Sequence, residues 1–163
     1  MALEHLFQGS ALNAVDAKGR VSVPAFLRSV IERRGETRTI VLAGHEVFPC
    51  LSAYDPAFAA LKYAKLERLA EKEETEETSE LAYARRALMA FGATEEVPYD
   101  SSGRVLIPPM MRRRGQIEDL ALFIGAGETF QLWNPRLFLA DSNVPEAMKD
   151  IARFRLEERG LSL

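Results

Sequence analysis

The sequence predicts an α+β fold built from two copies of one β-β-α-β-β-α unit, and three observations carry that expectation. The stretch Asp16-Ala17-Lys18-Gly19-Arg20-Val21-Ser22-Val23-Pro24 returns as Asp100-Ser101-Ser102-Gly103-Arg104-Val105-Leu106-Ile107-Pro108, with Arg28 and Arg112 also in register. Further on, Leu120 to Gly125 matches Ile40 to Gly44, and Phe130-Gln131-Leu132-Trp133-Asn134-Pro135 matches Leu51-Ser52-Ala53-Tyr54-Asp55-Pro56. Between these blocks the apolar residues change from alternate to helical spacing and back. A pattern shared over this length argues for an internal duplication.

Each copy of the motif has the chemistry of strand, tight turn, strand, then helix. An Asp at the head of the turn accepts N–H bonds from the residues just ahead, as in an Asx turn. A Gly three residues later takes the positive φ that a type I turn closed by a glycine bulge requires. Pro24 and Pro108 cannot donate to a ladder and suit the first turn of a helix. Arg20 and Arg104 then fall just past a hairpin tip in each copy. Turn-making and an Asp–Arg pair would explain one copy. Two copies with the arginine kept at the same step point to a function for the tips.

In chain order, residues 1–10 read as a tag remnant or a flexible N-terminus and are assigned no function. The first repeat covers residues 11–55. Ala11, Leu12, Ala14 and Val15 enter the turn, Val21 and Val23 leave it, and Phe26, Leu27, Val30 and Ile31 recur at helical spacing up to a cap at Gly35. Thr39 to Leu42 is a buried-strand candidate, Val47 to Ala53 alternates loosely, and Asp55-Pro56 supplies an N-cap and a first helical residue. Residues 56–93 form a helical linker. In it Phe58, Leu61, Leu66 and Leu69 share a face, Glu71 to Thr78 is an acidic loop, and Ser79 caps a helix carrying Leu81, Ala84, Leu88 and Phe91 on one side. The second repeat, 94–135, follows the same order, with a strand near Glu95 to Tyr99 and a short basic helix from Met110 to Gly115. Residues 136–163 are a C-terminal helix, running from Val144 to Arg159 with Met148, Ile151, Ala152 and Leu156 inward.

The totals exclude several functions. With 163 residues, 47% apolar and 28% charged, the chain has ordinary globular composition and suits one domain or two small, packed halves. A single cysteine, Cys50, excludes an intramolecular disulfide, and His5 and His45 lack zinc-ligand spacing, so neither metal nor cofactor is expected. No apolar run approaches the roughly 18–20 residues that span a bilayer, and no basic region with a long apolar stretch opens the chain. A cytoplasmic protein without a membrane partner is expected. Ser10, Ser22, Ser29, Ser52, Asp55 and His45 form no nucleophile motif, and Gly125-Ala126-Gly127 reads as a hairpin turn, so the chain is not expected to be an enzyme. The net charge of −3 is unevenly spread: Asp16 to Arg38 holds six bases against three acids, and Glu67 to Glu80 holds seven Glu against two bases. Local charge sets the potential, so a basic face can still bind nucleic acid.

The duplicated D-x-x-x-R, each with Gly before the Arg and Pro four residues after it, resembles the motif of the MraZ family, proteins of two tandem AbrB-like (SpoVT-AbrB) units. The resemblance runs from about Leu12 to Asn134 and the helix beyond. It implies a swapped-hairpin β-barrel with a pseudo-two-fold axis and flanking helices. It also implies a DNA-binding transcriptional regulator of the division and cell-wall (dcw) gene cluster, nucleoid-associated, acting as a closed homo-oligomeric ring on short repeats in promoter DNA. Carried onto this chain, the DNA-binding residues are Asp16, Lys18, Gly19 and Arg20 in the first copy and Asp100, Ser101, Ser102, Gly103 and Arg104 in the second. Arg28 and Arg112 are secondary candidates; Arg33, Arg34, Arg113 and Arg114 are helix-borne and read as solvated faces. One departure stands out, because Ser101-Ser102 replaces Ala17-Lys18 and leaves the second tip one positive charge poorer. The first copy should then dominate phosphate contacts. The alternative is an AbrB-like interaction or antitoxin-type module that does not read DNA by itself.

Overall fold

A computed structural model of the protein describes residues 2–72 and 79–163; most of the expected acidic loop, Glu73 to Thr78, lies outside the described residues. The chain is α+β, with eight strands and six α-helices among the described residues. The first half contributes β1 (Ser10–Ala14), β2 (Arg20–Ser22), α1 (Ala25–Arg34), β3 (Thr39–Gly44), β4 (Leu51–Tyr54) and α2 (Phe58–Lys72). After α3 (Ser79–Ala87) and a π-helical turn at Leu88–Gly92, the order repeats as β5 (Thr94–Pro98), β6 (Arg104–Leu106), α4 (Pro109–Arg114), β7 (Leu120–Gly125), β8 (Phe130–Trp133) and α5 (Pro135–Ala140). Helix α6 (Glu146–Glu158) follows.

The strands form a six-stranded antiparallel sheet in the order β1-β7-β8-β4-β3-β5 and a two-stranded sheet, β2-β6. Exchanging the two halves maps each order onto itself, so the pseudo-two-fold runs between β8 and β4. The apolar runs Thr39–Gly44 and Leu120–Gly125 are buried on both faces, as interior strands require. Each therefore needs a partner on either side. β3 takes β4 from its own half and β5 from the other, and β7 takes β8 and β1.

This corrects the expectation of a hairpin in each copy. β1 and β2 do not pair with each other, nor do β5 and β6; the arms of each motif diverge into different sheets, and each finds its partner in the opposite half. The six-stranded sheet ends at β1 and β5, and its ladders do not close into a barrel. Both ends are protected. Arg159 Nε donates to Leu12 O at 3.0 Å where α6 runs along β1, while β5 carries Glu95, Glu96 and Pro98.

One face of the large sheet packs on Val21 and Val105 of the small one, with Leu27 and Ile31 from α1 and Met111 from α4. The other face is covered by α5 and α6, which enclose Trp133 with Phe138, Ala152 and Leu156. At the first-half end Phe58 of α2 lies against Tyr54. Phe7, from the segment assigned no function, is 1% exposed within the central core and bridges to Gly127.

Several local expectations change. Gly35 does close α1, but in extended backbone that any residue adopts. Asp55 is no helix cap. Its Oδ1 accepts from Arg34 Nη1 at 2.8 Å in a buried pair, while Oδ2 has no hydrogen-bond partner. Arg34, expected on a solvated face, also donates to His5 O and Glu128 O and stacks over the Phe7 ring at 4.3 Å. The matching Asn134 is a true cap, accepting from Arg136 N at 2.9 Å. The C-terminal region holds two helices, and α6 turns Lys149, not Ile151, inward beside Ala152 and Leu156. Leu81, Ala84 and Leu88, expected to share one side, are exposed; Ala82 and Ala90 are the buried residues there.

The Arg34–Asp55 pair yields a stability prediction. Arg34→Met strands a buried carboxylate and should cost about 3–5 kcal/mol, and adding Asp55→Leu should recover part of that loss. Urea unfolding of the single and double variants measures both.

Candidate nucleic-acid interface

The site is built from the two short loops and the ribbon that joins them. In the first loop Asp16 Oδ1 accepts from Lys18 N and Arg20 N, both at 2.9 Å, and Oδ2 accepts from Arg20 Nε at 2.7 Å. Gly19 donates its N–H to Asp16 O and adopts φ +90°, the left-handed region where glycine is favoured. The second loop repeats this. Asp100 Oδ1 accepts from Ser102 N at 2.9 Å and Arg104 N at 3.0 Å, Gly103 has φ +80°, and Arg104 Nε stands 3.5 Å from Asp100 Oδ2. The Asp therefore shapes the turn and orients the arginine in both copies. Each carboxylate engages its arginine through Nε, the side of the guanidinium nearest the stem, and the arginine side chains remain 45% and 54% exposed.

Pairing of β2 with β6 brings the two loops together. Val21 lies opposite Val105, and both point into the core. Side chains alternate across a strand, so Arg20, Ser22, Arg104 and Leu106 share the outer face. Arg20 sits opposite Leu106 and Arg104 opposite Ser22. The two arginines are thus diagonal neighbours, roughly 7–8 Å apart at their backbones. Beyond the ribbon, Val23 N donates to Gly103 O at 2.8 Å and Ile107 N to Gly19 O at 2.9 Å, so each loop glycine is tied to the opposite half.

The remaining candidates separate clearly. Lys18, Ser101 and Ser102 are exposed at the loop apices; Gly19 and Gly103 are buried beneath them. Arg28 donates through Nε to Val23 O, and Arg112 donates to Ala17 O, Ile117 O and Glu118 O. Arg33 reaches Glu4 O, while Arg113 and Arg114 are exposed. Asn13 was missed. Its Nδ2 donates to Ser22 O at 2.6 Å and bridges the diverging arms of the first loop, where the second copy has Val97. The signal was there, in one amide interrupting Ala11-Leu12-Asn13-Ala14-Val15. His45, the one histidine weighed as a catalytic base, accepts Val47 N and Phe48 N at Nδ1 and shapes a turn, with burial holding its pKa below the usual value. Among the described residues no cluster of three or more His, Cys, Asp or Glu is arranged to hold a metal, and no helix is long and apolar enough to cross a membrane.

The hydrogen bond from Arg20 N, with the Arg20 side chain next, holds the Asp16 carboxyl down to about 2. Asp100 is also lowered, chiefly by Arg104 N. A carboxyl depressed by folding contributes above its unfolded value of 3.8 and loses that contribution as pH falls toward 2. Carboxyl NMR titration should show Asp16 with a midpoint near 2, and Asp16→Asn should remove the acid-dependent change in the Lys18 and Arg20 amide shifts.

No protein-family model matches the chain. Curated relatives do. A protein of Rhodospirillum rubrum named "Transcriptional regulator MraZ" is 35% identical over 131 residues, covering 79% of each chain. One of the same name from Parvibaculum lavamentivorans is 35% identical over 155 residues, 91% of this chain and 87% of its own. A third, from Saccharophagus degradans, is 32% identical over 135 residues, 83% and 86% of the two chains. Identity at this level, over this much of both partners, makes the protein a member of the MraZ family.

Proposed function

We propose that this protein is a sequence-specific DNA-binding transcriptional regulator that grips duplex DNA with the outer face of the β2–β6 ribbon. The observation that carries the reading is the ribbon's register, which sets Arg20 and Arg104 side by side on one solvent-facing surface. The relatives' shared name, transcriptional regulator, supports the same direction. A two-stranded ribbon fits the major groove, and an arginine fork can take guanine O6 and N7 together. Asp16 and Asp100 hold each fork by its stem side, leaving the terminal amines for a base edge or a phosphate. Lys18 neutralises backbone charge beside Arg20, while Ser101 and Ser102 offer hydroxyls at the other loop. Gly19 and Gly103 supply turns tight enough for close approach.

The same reading takes the promoter repeats of the division and cell-wall cluster as targets, nucleoid association as the setting, and a closed ring of subunits as the working form. Exposed Leu61, Leu69, Leu88 and Met89 on the helical linker give such a ring apolar surface to bury. Several ribbons laid along repeated sites gain through effective concentration without any new contact. The two sheets are taken as parts of one swapped barrel, since the loops lead directly from one to the other. The exposed linker face also favours a second reading, a protein-interaction module that needs a partner to reach DNA.

Gel shifts with duplex DNA from upstream of the protein's own gene separate the two. Arg20→Ala and Arg104→Ala should each cost about 1–3 kcal/mol of specific binding. Lys18→Ala should shallow the dependence of log affinity on log salt by about one unit. Full promoter binding by the Arg20→Ala/Arg104→Ala double variant would end the DNA-reading assignment.

A further inference from the structure

We infer that Arg112, a secondary candidate for DNA contact from its sequence register, is a positioning residue that braces the DNA-facing loop of the opposite half. The inference rests on reading the two loops as the DNA-contacting elements. Arg112 belongs to α4 in the second half, yet Nη1 donates to Ala17 O in the first loop at 3.3 Å. Its Nε donates to Ile117 O at 3.1 Å and Nη2 to Glu118 O at 3.0 Å. Every nitrogen of the fork is therefore engaged with a backbone carbonyl, an arrangement that suits a rigid, planar donor. The same stretch holds the loop a second time, because Val15 N donates to Asp119 O at 2.8 Å.

The Arg112 fork rests against the turn at Gly19: a Cβ built there would lie 3.5 Å from Nη1, in ordinary contact, so it is the φ of +90° and not crowding that favours glycine. Across the pseudo-two-fold, Arg28 packs against Gly103 of the second loop but bonds within its own half. Its Nε donates to Val23 O at 3.0 Å and stands 2.3 Å from where a Gly103 Cβ would be, so any side chain there would displace it. Val23 in turn donates its N–H to Gly103 O, which closes a small cross-half circuit.

With all three nitrogens bonded to carbonyls, the Arg112 guanidinium keeps one N–H on each terminal nitrogen, and turning the fork outward to a phosphate would strand those carbonyls. Bracing serves binding in another way. A loop already held in its bound shape loses less conformational freedom when DNA arrives.

Amide exchange in the free protein tests the brace without any DNA. Arg112→Gln should speed exchange at Lys18, Gly19 and Arg20 by about tenfold. With duplex DNA from upstream of the protein's own gene, it should weaken binding about tenfold while leaving the salt slope unchanged. Arg112→Lys keeps the charge but loses the fork, so it should show the same two changes, and it serves if the Gln variant does not fold. Restored affinity in the Lys variant, a slope shallower by about one unit in the Gln variant, or unaltered loop exchange would each overturn the inference. If the unmodified protein fails to bind DNA, the functional reading falls, while the exchange experiment still decides whether the brace exists.

Discussion

Two strands that must be buried on both faces dictate the rest of this molecule. β3 and β7 are apolar along nearly their whole length, and neither can present an open edge to water without exposing unpaired backbone. One neighbour comes from the next strand in sequence. The other has to come from the far half, and that demand pulls β1 away from β2 and β5 away from β6. Once the arms have parted, β2 and β6 are left with short ladders open to one another. Their pairing is what aligns the two loops.

The near-symmetry makes the differences between halves informative. Loop one carries Lys18, an Asn13 bridge across its arms, and a 2.7 Å Asp–Arg contact. Loop two has serines in the apex, Val97 where Asn13 stands in the other copy, and a 3.5 Å contact. Asp55 and Asn134 diverge in the same way. The charged member is buried against Arg34 from the end of α1, while the neutral one caps a helix and donates to Gln116 O just past α4. Duplication has kept the turn chemistry while letting the supports drift apart.

Much of this could be read from residues alone. The element order, the glycine-closed loops and the positions of α1 and α4 follow from local chemistry that needs no tertiary context, such as Asp at a turn's head or Pro at a helix start. The family followed from the same residues. What sequence could not give was pairing across the halves, since alternation in Arg20-Val21-Ser22 sets a strand's faces but not its neighbour. Helical spacing did not locate the buried face around α3, where Leu81, and Leu88 in the turn after it, are exposed while Ala82 and Ala90 are buried. Arg34 shows the third kind of gap. Nothing in a basic helix end announces that one of its arginines will stack on Phe7 and face a carboxylate.

The exchange of outer strands also makes the halves physically inseparable. Each lends the other an edge, so a nick in the peptide between α2 and α3 would not release two folded pieces. The fragments would stay interlocked as a complex, and parting them would mean melting both. A single repeat expressed alone would expose two hungry strand edges and would have to find a twin, which is how a one-repeat ancestor would have existed.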